Sequence, residues 1–215
     1  MSQVTTNPEA EVKQEEHVHE HRDDMGAKMG MWLFLFTELL LFGGLFVLYM
    51  AYRTEYSVDF KVAATELAVG MGTVNTIVLL TSSLTMVLSI VALQRGSKKL
   101  SLFYIASTIG LAGVFLVIKF FEWSAKIHHG IYPGGEELLS KPNGEIIFFG
   151  LYYTMTGLHG LHVVIGMVIL GFMYYFVKTG KFNKGYFVKL ENGGLYWHLV
   201  DLIWIFLFPL FYLLH

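Results

Sequence analysis

The chain contains no cysteine, which excludes disulfides, a thiolate-held zinc, iron–sulfur or copper site, and a cysteine nucleophile. Any metal would need histidine or carboxylate ligands. Charge is scarce as well: 15% of the 215 residues are Asp, Glu, Lys or Arg against 54% hydrophobic, and the mean hydropathy is +0.54. That balance excludes an ordinary soluble domain and places the chain in a membrane. The net charge of −2 comes with basic residues scattered between apolar blocks, so nucleic acid is excluded as a partner.

A bilayer core of about 30 Å needs roughly 20 apolar residues as helix. Five stretches of that length occur, at about 30–52, 67–93, 100–121, 146–177 and 195–214. Each ends on charge or on turn residues such as Lys141-Pro142-Asn143-Gly144. All must be helical, because an isolated strand would leave backbone groups unpaired in lipid. The expected fold is therefore all-α and polytopic, with a membrane domain over 29–215 and a tail over 1–28.

The tail has no apolar region and carries Glu9, Glu11, Glu15, Glu16, Glu20, Asp23 and Asp24, so it reads as a solvated cytoplasmic segment and not as a signal peptide. Within it His17, His19 and His21 alternate among carboxylates. A histidine titrates near neutral pH, so the three form a candidate proton antenna, against the plainer reading of a merely solvated tail. Orientation follows from Lys and Arg. Ten lie on the side of the N-terminus and four (Arg53, Lys61, Lys126, Lys141) on the other. The positive-inside rule puts the N-terminus in the cytoplasm and His215 outside.

An ionisable group in a span costs roughly 2.5–3.5 kcal/mol on insertion scales, so each asks for a partner, water or a role. Glu38 lies eight residues past Gly30, about 12 Å into the bilayer at 1.5 Å per residue. It reads either as a hydrogen-bonded carboxyl bridging helices or as a proton-handling acid against lipid, since its own helix offers no cation. Lys119 and Glu122, three residues apart, read as a pair snorkelling outward. His159 and His162 sit one turn apart on a face where Gly157, Gly160 and Gly166 permit close helix contact. Such a pair could ligate a metal only with a third ligand, and the other deep histidine is His198. In the last span His198 and Asp201 are three residues apart, Trp197 and Trp204 share a neighbouring face, and Glu191 stands just before. The economical expectation is one polar network of His159, His162, His198 and Asp201 joining the last two spans, with no metal and no catalytic residue on this chain.

Several motifs then align in order: Glu38 in Trp32-Leu33-Phe34-Leu35-Phe36-Thr37-Glu38, Asn75-Thr76 with Leu79-Leu80-Thr81-Ser82-Ser83, Phe121-Glu122-Trp123, His159-Gly160-Leu161-His162-Val163, and Tyr196-Trp197-His198-Leu199-Val200-Asp201-Leu202-Ile203-Trp204. Together they resemble subunit III of haem–copper oxidases, cytochrome c oxidase subunit 3 in its short five-helix bacterial form. The resemblance implies two helix bundles separated by a V-shaped, lipid-filled cleft in a bacterial cytoplasmic membrane. It implies contact with subunit I, and with subunit II in the same complex, with haem and copper carried by those partners. It further implies that the complex reduces dioxygen to water while pumping protons. By the same resemblance Glu38 is the carboxyl beside the cleft and favours cytochrome c over quinol as donor. His159, His162, Glu191, His198 and Asp201 are the internal polar residues, Trp197 and Trp204 the packing aromatics. Lys178 and Lys181 are candidates for holding lipid headgroups, since no arginine stands where the family has one. A quinol-oxidase subunit III, the related subunit of nitric oxide reductases and a self-contained proton-coupled transporter are the alternatives, the last disfavoured by the absence of an inverted repeat.

Overall fold

The computed structural model describes the backbone of residues 8–180 and 188–213 and the side chains of 25–180 and 190–213. The described residues form helices alone: α1 (Pro8–Glu55), α2 (Ser57–Thr65), α3 (Val69–Gln94), α4 (Lys98–His128), α5 (Glu136–Leu139), α6 (Asn143–Thr179) and α7 (Val188–Tyr212). Five are long and apolar enough to cross a membrane: Met25–Glu55, Val69–Gln94, Lys98–His128, Asn143–Thr179 and Leu190–Tyr212. These are the five expected spans. α4 runs past residue 121 to His128 because Lys119, Glu122 and Lys126 are buried within the bundle, so their charges do not end the helix at a membrane surface. α1 reaches back to Pro8, with proline at the first helical position where its missing N–H costs nothing.

α3, α4, α6 and α7 close a ring, each touching the next, and α1 lies outside that ring against α6 and α7. These contacts join α1 to the ring through α6 and α7. The physical reason is aromatic: Phe42 and Tyr49 of α1 are fully buried, Tyr49 at 5.1 Å from the Phe211 ring and donating its hydroxyl to Leu210 O at 2.5 Å. Half of the most apolar window of α7 is buried but only 11% of that of α1. α7 is thus the central post, and α1 turns Trp32, Leu33, Phe36, Leu40 and Val47 outward.

The tight α3–α4 connection depends on Gly96. Its φ of +82° is left-handed, and the N–H groups of Gly96 and Ser97 donate to Leu93 O and Ala92 O, each at 2.9 Å, which satisfies the last carbonyls of α3. Gly166 works by size. A Cβ there would lie 2.8 Å from the Trp197 ring, whereas a Cβ at Gly160 would meet nothing within 4 Å. The small-residue face read from the sequence therefore serves helix contact at Gly166, and at Gly157 against Trp123, but not at Gly160. Gly166→Ala is expected to cost about 1–3 kcal/mol through displacement of Trp197. Gly160→Ala should be neutral, or stabilising by roughly 0.5–1 kcal/mol from helix propensity. Thermal unfolding of the two variants in detergent checks the contrast, and equal shifts would refute it.

Candidate functional site

The most elaborate polar cluster ties α4, α6 and α7 together. Lys119 Nζ donates to Glu122 Oε2 at 3.0 Å, to Tyr212 Oη at 2.5 Å and to Tyr152 Oη at 3.3 Å. Both tyrosine hydroxyls donate to Glu122 Oε1, at 2.9 Å from Tyr152 and 2.6 Å from Tyr212. The ammonium also lies 4.9 Å from the centre of the Trp204 ring. Lys119 and Glu122 are 8% and 1% exposed, so the expected pair forms but points inward. The snorkelling reading is corrected: two tyrosines and an indole supply the partners that water would otherwise give. Tyr152 and Tyr212 were not singled out in the sequence, where tyrosine is common and nothing marks these two.

A second site joins α1 to α6. Glu38 Oε2 lies 2.8 Å from His162 Nε2, while His162 Nδ1 lies 2.7 Å from Leu158 O. A carbonyl only accepts, so Nδ1 carries a hydrogen. Nε2 then either accepts from a protonated Glu38 or, as imidazolium, donates to its carboxylate. In both states one proton is shared between Nε2 and Oε2. Tyr196 Oη donates to His162 O at 3.1 Å. Because the missing cation of α1 comes from another helix, Glu38 and His162 are expected to couple. A double-mutant cycle with alanine at each position should show about 0.5–3 kcal/mol of non-additivity in stability, and strict additivity would contradict the pairing.

The other polar residues do not join one network, which corrects the expectation for His159, His162, His198 and Asp201. His159 and His162 diverge by about 60° around the helix at three residues' spacing. That is enough to send His162 to α1 and His159 into the ring, between Phe115 at 5.6 Å and Trp204 at 5.2 Å, with neither of its nitrogens hydrogen-bonded. His198 Nδ1 meets Ser83 Oγ of α3 at 2.6 Å. Asp201 is 3% exposed and its carboxylate makes no hydrogen bond. Trp197 and Trp204 are fully buried and donate to Ser82 Oγ at 3.1 Å and Thr76 Oγ1 at 3.0 Å, so Trp197 packs within the bundle. Glu191 lies 3.8 Å from Lys28, holding the start of α7 to α1. Among the described residues no group of three or more His, Asp or Glu converges on a point.

The comparisons with known proteins bear on this arrangement. The sequence profile described as "Cytochrome c oxidase subunit III" matches residues 9–215. The chain belongs to that family. It is 32% identical over 200 residues to "Cytochrome c oxidase subunit 3" of Thermostichus vulcanus, covering 93% of this chain and 92% of the relative. It is 29% identical to "Probable quinol oxidase subunit 3" of Staphylococcus saprophyticus, covering 87% and 88%. It is also 29% identical to "Heme-copper oxidase subunit I+III" of Aeropyrum pernix, covering 86% of this chain and 22% of that longer protein. The chain is thus a multi-pass membrane subunit of the haem–copper oxidase type, and the transporter alternative falls.

Within this subunit III the remaining candidate residues are placed as follows. Lys178 is exposed at the end of α6. Lys181 and the side chains of His17, His19 and His21 lie outside the described residues. An apolar groove of about 420 Å³ runs between α4 and α6, lined by Phe115, Leu116, Phe120, Trp123, Gly160 and Val164 among others, with Lys119 at its wall. At the end of the bundle that carries α2, Lys141 bonds both Glu66 and Glu145, and Lys126 Nζ donates to Glu66 O at 3.0 Å. Burial opposes the charge of Lys141, but the two carboxylates outweigh it and hold its pKa above the ordinary lysine value.

Proposed function

We propose that this chain is the non-redox subunit III of a proton-pumping terminal oxidase that takes electrons from cytochrome c. It packs directly on subunit I, in one complex with subunit II, in a bacterial cytoplasmic membrane with the N-terminus inside. The observation that carries this reading is the division of its surfaces. The charged pairs Lys119–Glu122 and Glu38–His162 are satisfied by helices of this chain, while α1 presents a long apolar strip outward. A relative whose name joins subunits I and III in one chain supports direct contact with subunit I. The chain stabilises subunit I, and phospholipid acyl chains occupy the α4–α6 groove, with Lys178 and Lys181 near headgroups. Haem and copper belong to the partners. The tail histidines His17, His19 and His21 collect protons near the uptake side, which the truncation of residues before Met25 tests through turnover at alkaline pH.

Affinity purification of the tagged chain in mild detergent, with mass spectrometry and an optical spectrum, tests the main reading. The expected result is stoichiometric recovery of a larger haem-bearing membrane subunit, with oxygen consumption supported by reduced cytochrome c. A haem band in the chain isolated alone, or its recovery without such a partner, would overturn it. Turnover with quinol but not with cytochrome c would reassign the donor alone.

A further inference from the structure

Where α1, α3 and α7 meet, at the membrane face from which α7 sets out, a pocket of about 350 Å³ opens that neither buried cluster uses. Two opposite charges stand at its mouth. Lys28 Nζ and Glu191 Oε2 are 3.8 Å apart, about 1 Å longer than a direct charge-assisted hydrogen bond, and both side chains are partly exposed, so each keeps hydrogen-bonding capacity for a ligand. Asn192, in the wall, is nine-tenths buried. Its Nδ2 donates to Ala27 O at 3.3 Å, and because a carbonyl only accepts, that contact fixes which end of the amide is the oxygen. Asn192 Oδ1 has no hydrogen-bond partner in the chain.

The lining is graded with depth. Lys28 lies three residues past Met25 and Glu191 one past Leu190, where the two spans begin, so both charges fall within about 5 Å of the span starts, in the layer that phospholipid headgroups fill. Ile90, Leu195, Trp32 and His198 lie about 6–12 Å from their nearest span ends by the same count, and tryptophan is the side chain favoured at the boundary between headgroups and hydrocarbon. His198 is held there by Ser83 Oγ, 2.6 Å from Nδ1. Charge outside and apolar and aromatic groups inside is the order of a phospholipid's own head and chains.

We infer that this pocket binds one phospholipid whose head carries a primary ammonium, phosphatidylethanolamine, with the phosphate on Lys28 and the ammonium on Glu191 and Asn192. The charge balance selects it. An anionic head would set an uncompensated phosphate beside the Glu191 carboxylate, at a mouth whose two charges already sum to zero. A choline head has no N–H to give to either acceptor, whereas the ammonium of ethanolamine has three. Among the described residues none of α6 lines this pocket, so the site is separate from the α4–α6 groove and from Lys178. It rests on the membrane spans and not on the oxidase reading.

Photolabelling tests the site on the full chain, purified in mild detergent with the partners it retains and reconstituted in phospholipid nanodiscs. Phosphatidylethanolamine carrying a diazirine early in one acyl chain should label the peptides that contain Trp32 and Leu195 to His198. Unlabelled phosphatidylethanolamine should compete about fivefold better than phosphatidylcholine or phosphatidylglycerol, the upper end for an exposed ion pair. Glu191→Gln leaves the mouth cationic, so the order should invert toward phosphatidylglycerol, and Lys28→Met should abolish the preference for phosphatidylethanolamine. If these variants fail to assemble, the wild-type labelling and its competition order decide alone. Haem recovered with the chain is read separately, so failure of the subunit III reading leaves this result intact. Labelling confined to other segments, equal competition by the three lipids, or an unchanged order in an assembled Glu191→Gln would overturn the inference.

Discussion

Lys119→Met should destabilise the subunit by about 3–5 kcal/mol, the cost of removing one partner from a buried charge pair. The substitution keeps the length and apolar stem of the side chain, so the loss falls on the ammonium. Glu122 is 1% exposed and would keep only the two tyrosine hydroxyls, which stabilise a carboxylate less than a cation does. The ammonium's approach to the rings of Tyr152, Trp204 and Tyr212, at 5.2, 4.9 and 5.1 Å, is lost at the same time. Removing both charges in Lys119→Met with Glu122→Gln should recover much of the deficit, because an isolated buried charge costs more than no charge at all. Unfolding of the detergent-purified complex, followed by retention of this subunit as temperature rises, reads the difference. A Lys119→Met shift below about 0.5 kcal/mol, the scale of an exposed pair, would refute the buried reading.

That cluster also marks where the sequence was legible and where it was not. The five spans could be read from length and hydropathy because a bilayer imposes both, and the order of motifs was enough to place the chain in its family. The pairing of Lys119 with Glu122 could be read from spacing. Its direction could not: whether a charge three residues from another faces water or the bundle depends on what the neighbouring helices offer, and Tyr152 and Tyr212 come from 30 and 90 residues away. Glu38 itself was legible, but its partner was hidden in the same way, His162 being 124 residues distant. The expectation of one histidine network failed because helical spacing fixes angles about one axis but not which helix stands at each angle. The short helices α2 and α5 lie between spans, where the apolar-run signal is silent. The aromatic face by which α1 meets α7, Tyr49 against Phe211, was not legible either, because apolar periodicity is weak in a nearly uniform span.

Trp204 carries the second large expected effect. Its side chain is fully buried and meets all four helices of the ring: its own α7, Thr76 of α3 through Nε1 at 3.0 Å, Phe115 of α4 edge to face at 4.9 Å, and His159 of α6 at 5.2 Å. Trp204→Ala should cost about 3–5 kcal/mol, since the space lies among rigid rings that cannot collapse into it. Trp204→Phe keeps part of the ring and loses the hydrogen bond, so its smaller cost should include roughly 0.5–1.5 kcal/mol for that bond. Thr76→Val inverts the experiment by leaving the indole N–H buried without an acceptor, at about 1–3 kcal/mol. Because Lys119 Nζ rests 4.9 Å from the Trp204 ring, Lys119→Met and Trp204→Phe should be non-additive, with the double variant less damaged than the sum. If the two effects add strictly, the ring of helices is held by packing on Trp204 and by the Lys119 cluster independently, and the indole is no part of the cation's cage.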